Sequence, residues 1–336
     1  MSSAEVTRDG LGGVRPGREA RTWSHDAGGP HRDQPRDHPG SSYYGMSVIN
    51  PPVWEELDIA GYLFAGGLAG ASSILAAGAQ FTDRPCLAAR SKKCATAAIG
   101  VSLLALIHDL GRPARFINML RVFKPTSPMS VGTWILSAYA PLNMAATASD
   151  LLGLAPRTGR AAGAGAGLLG AAVSTYTATL IGDTAVPTWH GAHRELPFLF
   201  AGSAASTASG YGLIAAPLDE NAPARRMGAL GATAEMIAGQ LMERRLGMVA
   251  QTLHTGTAGK RMTAAKVLSA GGTLGAATVA GRSRVGAALS GAALLAGSAL
   301  TRFGLFAAGM ESARDPKYTV EPQRERLSAR AQHSDP

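Results

Sequence analysis

A carboxylate and a phenol stand four residues apart in WEELDIAGY, at Asp58 and Tyr62, where the first long apolar run begins. In a helix that spacing stacks them on one face. At the depth where a helix enters a membrane, the pair can hydrogen-bond a polar headgroup. The plainer use of Trp54 and Tyr62 there is interfacial anchoring. A second set lies in HDLGRPARFINMLRVFKPTSPMSVGTW, residues 108 to 134. Asp109 and Arg112 are three apart, which suits an ion pair that shapes the loop. Arg115 and Lys124 suit headgroups or a partner protein. Phe116, Met119, Leu120 and Phe123 recur at helical spacing, which predicts a short amphipathic helix at a membrane surface. A further phenol, Tyr176, closes another apolar run and is followed by Asp183. Glu235 and Arg302 fall inside apolar runs, where an ionisable residue is expensive and functional by default. They suit a proton route or a pair with each other, or Arg302 snorkels to the surface.

The elements that must position these groups are apolar runs. A bilayer core of ~30 Å takes about 20 residues of helix. The segments that fit are 59–81, 94–108, 130–154, 161–182, 196–216, 226–242, 264–281 and 285–309. They predict an all-α integral membrane protein of eight transmembrane helices over residues 57–310. A polar N-terminal tail, 1–56, reads as disordered, and 311–336 is a polar C-terminal tail. Ala and Gly dominate several runs. Gly66 with Gly70, Gly163 with Gly167, and Gly271 with Gly275 make small faces for close helix packing. An even count puts both termini on one side, together with loops 109–129, 183–195 and 243–263. Loops 82–93, 155–160, 217–225 and 282–284 fall on the other. Loop Lys and Arg are evenly divided. Arg314, Lys317, Arg324 and Arg326 then tip the side holding the 108–134 motif toward the cytoplasm of a multi-pass cell-membrane protein.

The net charge of +9 invites a nucleic-acid reading. The basic residues sit in tails and short loops, without a stripe of interleaved aromatics, and argue against nucleic acid. Of the eight histidines only His108 touches an apolar segment, at its end, so haem is not expected. Cys86 and Cys94 are too few for an iron–sulfur cluster in this chain. There is no metal-ligand cluster and no catalytic nucleophile constellation.

Three stretches carry a resemblance: YLFAGGLAGASSILAAG (62–78), DLGRPARFINMLRVFKPTSPMSVGTW (109–134), and Tyr176 through DTAVPTWH to ELPFLFAGSA. Together they resemble the integral membrane subunit of polysulfide-reductase-type complexes, the NrfD-like family. The resemblance implies eight transmembrane helices packed as two four-helix bundles. It implies a membrane anchor, not catalytic alone, that binds menaquinone or ubiquinone and carries no haem. Its implied partners are a ferredoxin-like iron–sulfur subunit and a molybdopterin catalytic subunit of formate dehydrogenase or polysulfide reductase type. The implied quinone residues are Asp58, Tyr62, Asp109, Arg112 and Tyr176. Related subunits carry an amide and a histidine where this chain has Asp58 and Tyr62. The competing class is a transporter or proton-conducting subunit, favoured by Glu235 and Arg302.

Overall fold

The computed structural model describes residues 6–7, 10–11, 48–110 and 114–334. The chain divides into two units, Met1–Tyr44 and Gly45–Pro336. In the first, β1 (Val6–Thr7) pairs antiparallel with β2 (Gly10–Leu11). The second is helical. In chain order it holds α1 (Glu56–Phe81), α2 (Pro85–Asp109), α3 (Ala114–Met119), α4 (Pro128–Leu152), α5 (Pro156–Gly182) and α6 (Pro187–Gly191). There follow α7 (Leu196–Ala215), α8 (Ala222–Leu246), a 3-10 turn (Gly247–Leu253), α9 (Gly256–Thr278), α10 (Arg284–Arg314) and α11 (Lys317–Ser334).

Each apolar segment expected from the sequence lies on one long helix: α1, α2, α4, α5 and α7 to α10. Proline sets many of the starts. Pro85, Pro128, Pro156 and Pro187 each open a helix, where a missing N–H loses nothing. Ser127 and Ser283 cap α4 and α10 by accepting from the N–H groups of Ser130 and Gly286. α2 starts earlier than its apolar run, because Ser91, Lys92 and Lys93 lie inside the helix. α1, α5 and α10 are long and apolar enough to cross a membrane by length and composition. The polar segment after 310 is largely helical, in the last turn of α10 and in α11.

α1 packs on α2 and α5, and α5 on α4; α7 packs on α8, and α9 on α10. Contacts of α1 with α7 and α10 join the two sets. At one end Leu87 N–H donates to Glu220 (2.8 Å) and Asn221 to the Ala280 carbonyl (2.8 Å). At the other, Arg261 pairs with Glu56, and Arg245 with Glu195 (3.0 Å). The segments around residues 87, 220 and 280 thus gather at one end, and those around 56, 195, 245 and 261 at the other.

The molecule is apolar outside and mixed inside. Leu104, Leu168, Leu230, Leu274 and Leu289 are exposed on five different helices, while Ser72, Ser102, Thr177, Ser206 and Thr207 are buried. In water that arrangement would forfeit hydrophobic stabilisation; in a bilayer it forfeits none. Close approach explains the glycines. A Cβ on Gly70 would strike the Gly170 backbone across the α1–α5 contact, whereas Gly66 faces Ser102 of α2. The expected Gly66–Gly70 face thus serves two neighbours. Gly271 opens on nothing within 4 Å; its neighbour Gly272 meets α10 instead.

Candidate functional site

The loop between α2 and α4 enters with α3, six residues long and shorter than the Phe116–Phe123 stripe suggests. The chain then turns through Pro125 and Pro128 into α4. Val122 and Phe123 are exposed, and Phe123 meets Trp134 edge-on at 6.0 Å. The Lys124 side chain is exposed, while its backbone N–H donates to Ser130 Oγ (3.0 Å). Arg112 and the Arg115 side chain lie outside the described residues, and so does the expected Asp109–Arg112 pair.

Between this loop, the end of α5 and α6 lies a cavity of about 530 Å³. Its apolar wall comes from Pro125, Pro128 and Val131; Tyr176, Asp183, His190 and His193 supply polar groups. Tyr176 is pressed against α4 at Gly132, where any Cβ would collide with the phenol ring. The Tyr176 hydroxyl is hydrogen-bonded to the Tyr62 hydroxyl. Tyr62 is only 2% exposed and stands behind Tyr176 as seen from the cavity. Its backbone carbonyl accepts from Ser102 Oγ (3.2 Å), which ties α1 to α2 at that level.

Asp58 does not join Tyr62. Its Oδ2 meets His108 Nδ1 at 2.6 Å, an exposed pair between the start of α1 and the end of α2. Beside it an aromatic stack runs inward: Trp54 on Trp189 (5.8 Å), then Trp189 on Phe306 (5.6 Å). Trp189 is fully buried and donates through Nε1 to the Leu305 carbonyl at 2.9 Å. The stack fixes α6, and with it His190 and His193, against α10. His193 Nδ1 lies 2.8 Å from the His190 carbonyl. These two histidines count against haem by their loop positions, and the same positions place them on the cavity. The signal in the sequence was their company, since DTAVPTWHGAHRE follows Tyr176 within one loop.

Glu235 and Arg302 lie elsewhere, among α1, α7, α8 and α10. Arg302 is 1% exposed, so it does not snorkel. Its guanidinium lies over the Phe200 ring (3.5 Å), and its Nη2 donates to the Phe200 carbonyl (2.8 Å). Glu235 Oε1 accepts from Thr301 Oγ1 at 2.7 Å. Glu235 Oε2 and Arg302 Nε and Nη1 are buried without a hydrogen-bond partner, so the two residues are not hydrogen-bonded to each other. Among the described residues, no group of His, Cys, Asp and Glu could hold a metal ion.

The sequence profile described as Polysulphide reductase, NrfD matches residues 46–274. The chain belongs to the NrfD family. The match covers the first-helix entrance, the 108–134 motif, Tyr176 and Glu235, and it ends within α9, before Arg302. No curated protein matches the chain. As an NrfD protein it is a multi-pass membrane protein of the kind found in polysulphide-reductase-type complexes.

Proposed function

We propose that this NrfD protein is the quinone-reactive membrane anchor of an iron–sulfur and molybdopterin oxidoreductase, crossing the membrane eight times in two four-helix bundles. One observation carries the site: a phenol pair, Tyr176 backed by Tyr62, at an apolar-walled cavity beside the motif loop. Its volume is in the range of small-molecule sites, ~300–1,000 Å³, and its few polar groups face apolar walls. That suits a ring with two carbonyl oxygens and an isoprenoid tail, menaquinone or ubiquinone. Quinone supplies two-electron, two-proton chemistry. The chain supplies the rest. Tyr176 donates a hydrogen bond to one carbonyl, and Tyr62 holds that hydroxyl in place. His190, His193 and Asp183 exchange protons at the mouth. Asp58 with His108, and Asp109 with Arg112, set the shape of the surrounding loops. Arg115 and Lys124 face the ferredoxin-like iron–sulfur subunit, which passes electrons to or from the molybdopterin subunit. Glu235 and Arg302 are candidates for proton movement in the second bundle, and their unpartnered atoms favour the runner-up, a proton-conducting subunit without quinone chemistry.

Two assays on one set of variants test the reading. A hydrogen bond is worth roughly 0.5–3 kcal/mol, so Tyr176→Phe should weaken quinone-linked turnover about two- to a hundred-fold. Tyr62→Phe should act in the same direction and less. Electron transfer from the partner's substrate to a soluble dye bypasses the cavity and should survive. Unchanged quinone kinetics in assembled Tyr176→Phe complex would place the site elsewhere.

A further inference from the structure

Away from the cavity, α1, α2 and α4 share a line of polar groups in two hydrogen-bonded stretches that meet at Lys92, whose ammonium belongs to the first and whose backbone carbonyl belongs to the second. It begins at the opposite end of the helices, where Lys92 Nζ meets Asp150 Oδ2 at 2.9 Å. The hydroxyls of Thr96 and Thr147 both reach the Lys92 carbonyl, at 3.1 and 3.2 Å, and lie 2.7 Å from each other. Asn143 Nδ2 donates to Thr96 Oγ1 (3.1 Å), and Asn143 Oδ1 accepts from Ser73 Oγ (3.3 Å). Ser73 and Tyr139 share a hydrogen bond of 2.7 Å. From Asp150 to Tyr139 the line follows α4 for roughly 16 Å, at ~1.5 Å per residue, about half a bilayer core.

Three features set this ladder apart from polar glue between helices. Its burial deepens toward the middle of the bundle: the Asp150 side chain is 33% exposed and Thr96 half-buried, whereas Asn143, Ser73 and Tyr139 are buried. Its hydroxyls have more acceptors than protons, so Thr96, Thr147 and Ser73 can each exchange donor and acceptor roles. A buried polar atom without a partner, Gln80 Oε1, stands beside Lys92 where both approach Gly163. An unbonded acceptor near the buried Lys92 side chain is a place for water. Helix association gains only about 0.6 kcal/mol from an average interhelical polar bond. That gain does not call for an ammonium held inside the membrane, which is expensive.

We propose that the ladder is a proton-access path from the membrane face opposite the cavity to Tyr139, half-way through the first bundle. Asp150 exchanges protons with the bulk at its mouth, with Lys92 beside it. Water joins this mouth to the hydroxyls of Thr96 and Thr147 and, held by the Asn143 amide, carries protons between Thr96 and Ser73 in either direction. Beyond Tyr139, Ala69, Ile99, Leu136 and Val173 form an apolar layer on which Tyr176 packs. This layer is the gate, and protons cross when water threads it. The proposal rests on the quinone reading for its source of protons. Oxidation of one quinol to quinone gives two electrons to the iron–sulfur partner and two protons to the protein. Quinone reduction draws the same numbers back.

The native complex, purified through a tag on this chain, tests it in liposomes that enclose a pH-sensitive dye. A short-chain quinol is added to the membrane, and ferricyanide, which does not cross it, is added outside. Each quinol then reduces two ferricyanide ions and frees two protons, in molecules whose partner subunit faces outward. The lumen should acidify in step with ferricyanide reduction. A positioned proton-transfer group is worth about 10²–10⁴-fold in rate, so Thr96→Val and Asn143→Leu should each lower lumenal protons per electron about ten-fold or more. Both variants are compared at equal amounts of assembled complex. Protons released only outside by the unaltered complex would overturn the proposal. So would variants that keep the unaltered ratio, whether or not they turn over more slowly, for that pattern marks the ladder as structural. Failure of the quinone reading looks different: quinol does not reduce ferricyanide above the empty-liposome rate, while the partner's own substrate still does. That result removes the proposal with it.

Discussion

The two halves of the helical unit treat their buried charges differently. In α1, α2 and α4, Lys92, Asp150, Asn143, Ser73 and Tyr139 each find a partner, although Gln80 Oε1 and Ser91 Oγ on the same helices do not. In α7 to α10, Glu235, Arg302, Ser209 and Ser269 each keep at least one buried atom without one. A satisfied network fixes one arrangement of its helices, whereas an under-satisfied one stores a desolvation penalty that water, a proton or a rearrangement can relieve. The first half therefore behaves as a scaffold in which exchange follows a set line. The second holds a charged site whose state is open to change.

The comparison breaks most readily at its charges. Asp150→Leu leaves the Lys92 ammonium buried without its partner. Breaking a buried pair costs about 3–5 kcal/mol, and the partial exposure of Asp150 points to the lower end. Thermal unfolding in detergent, followed by tryptophan fluorescence, should show a large loss or no foldable protein. Replacing Glu235 by Gln and Arg302 by Met together should do the reverse, leaving stability unchanged or raised by about 1–4 kcal/mol. A double variant as damaged as Asp150→Leu would mean that both halves are equally satisfied.

Two serines give a finer measure. Ser73 bridges Tyr139 and Asn143, and Ser209 Oγ has no partner, yet both residues are buried. Ser73→Ala orphans two groups and should cost about 1–3 kcal/mol, whereas Ser209→Ala should cost about nothing. Equal costs in the same unfolding assay would remove the distinction between the halves.

Much of the helix plan was legible because hydropathy is a local property. The run 196–216 lies on α7 almost to the residue, and 161–182 ends where α5 ends but begins five residues after its start. The method failed where a charge is satisfied inside a helix. Lys92 and Lys93 made the start of α2 look like loop, since hydropathy cannot see that Asp150 waits on α4. The candidate site was half legible. Tyr62 and Tyr176 were named from their motifs, and the fold brings their hydroxyls together. Asp58 was placed on the same face as Tyr62, yet the end of α2 offers it His108. His190 and His193 carried no helical period to mark them, so only the packing of Trp189 reveals which surface they line.

By itself the sequence determined the class of the protein, because membrane helices must satisfy their own backbones and so announce themselves as apolar runs. The 108–134 motif and its neighbours determined the family in the same local way. Only the tertiary structure decided the polar interior. Tyr139, Asn143 and Thr147 recur every four residues on α4, but nothing in the sequence joins them to Ser73 of α1 or Thr96 of α2. Their connection depends on the rotation of each helix about its axis, which close packing at Gly70 and Gly170 helps to set. For the same reason two buried charges, both inside helices, came out differently. Lys92 meets a carboxylate on a neighbouring helix, while Arg302 meets a phenylalanine ring and one carbonyl.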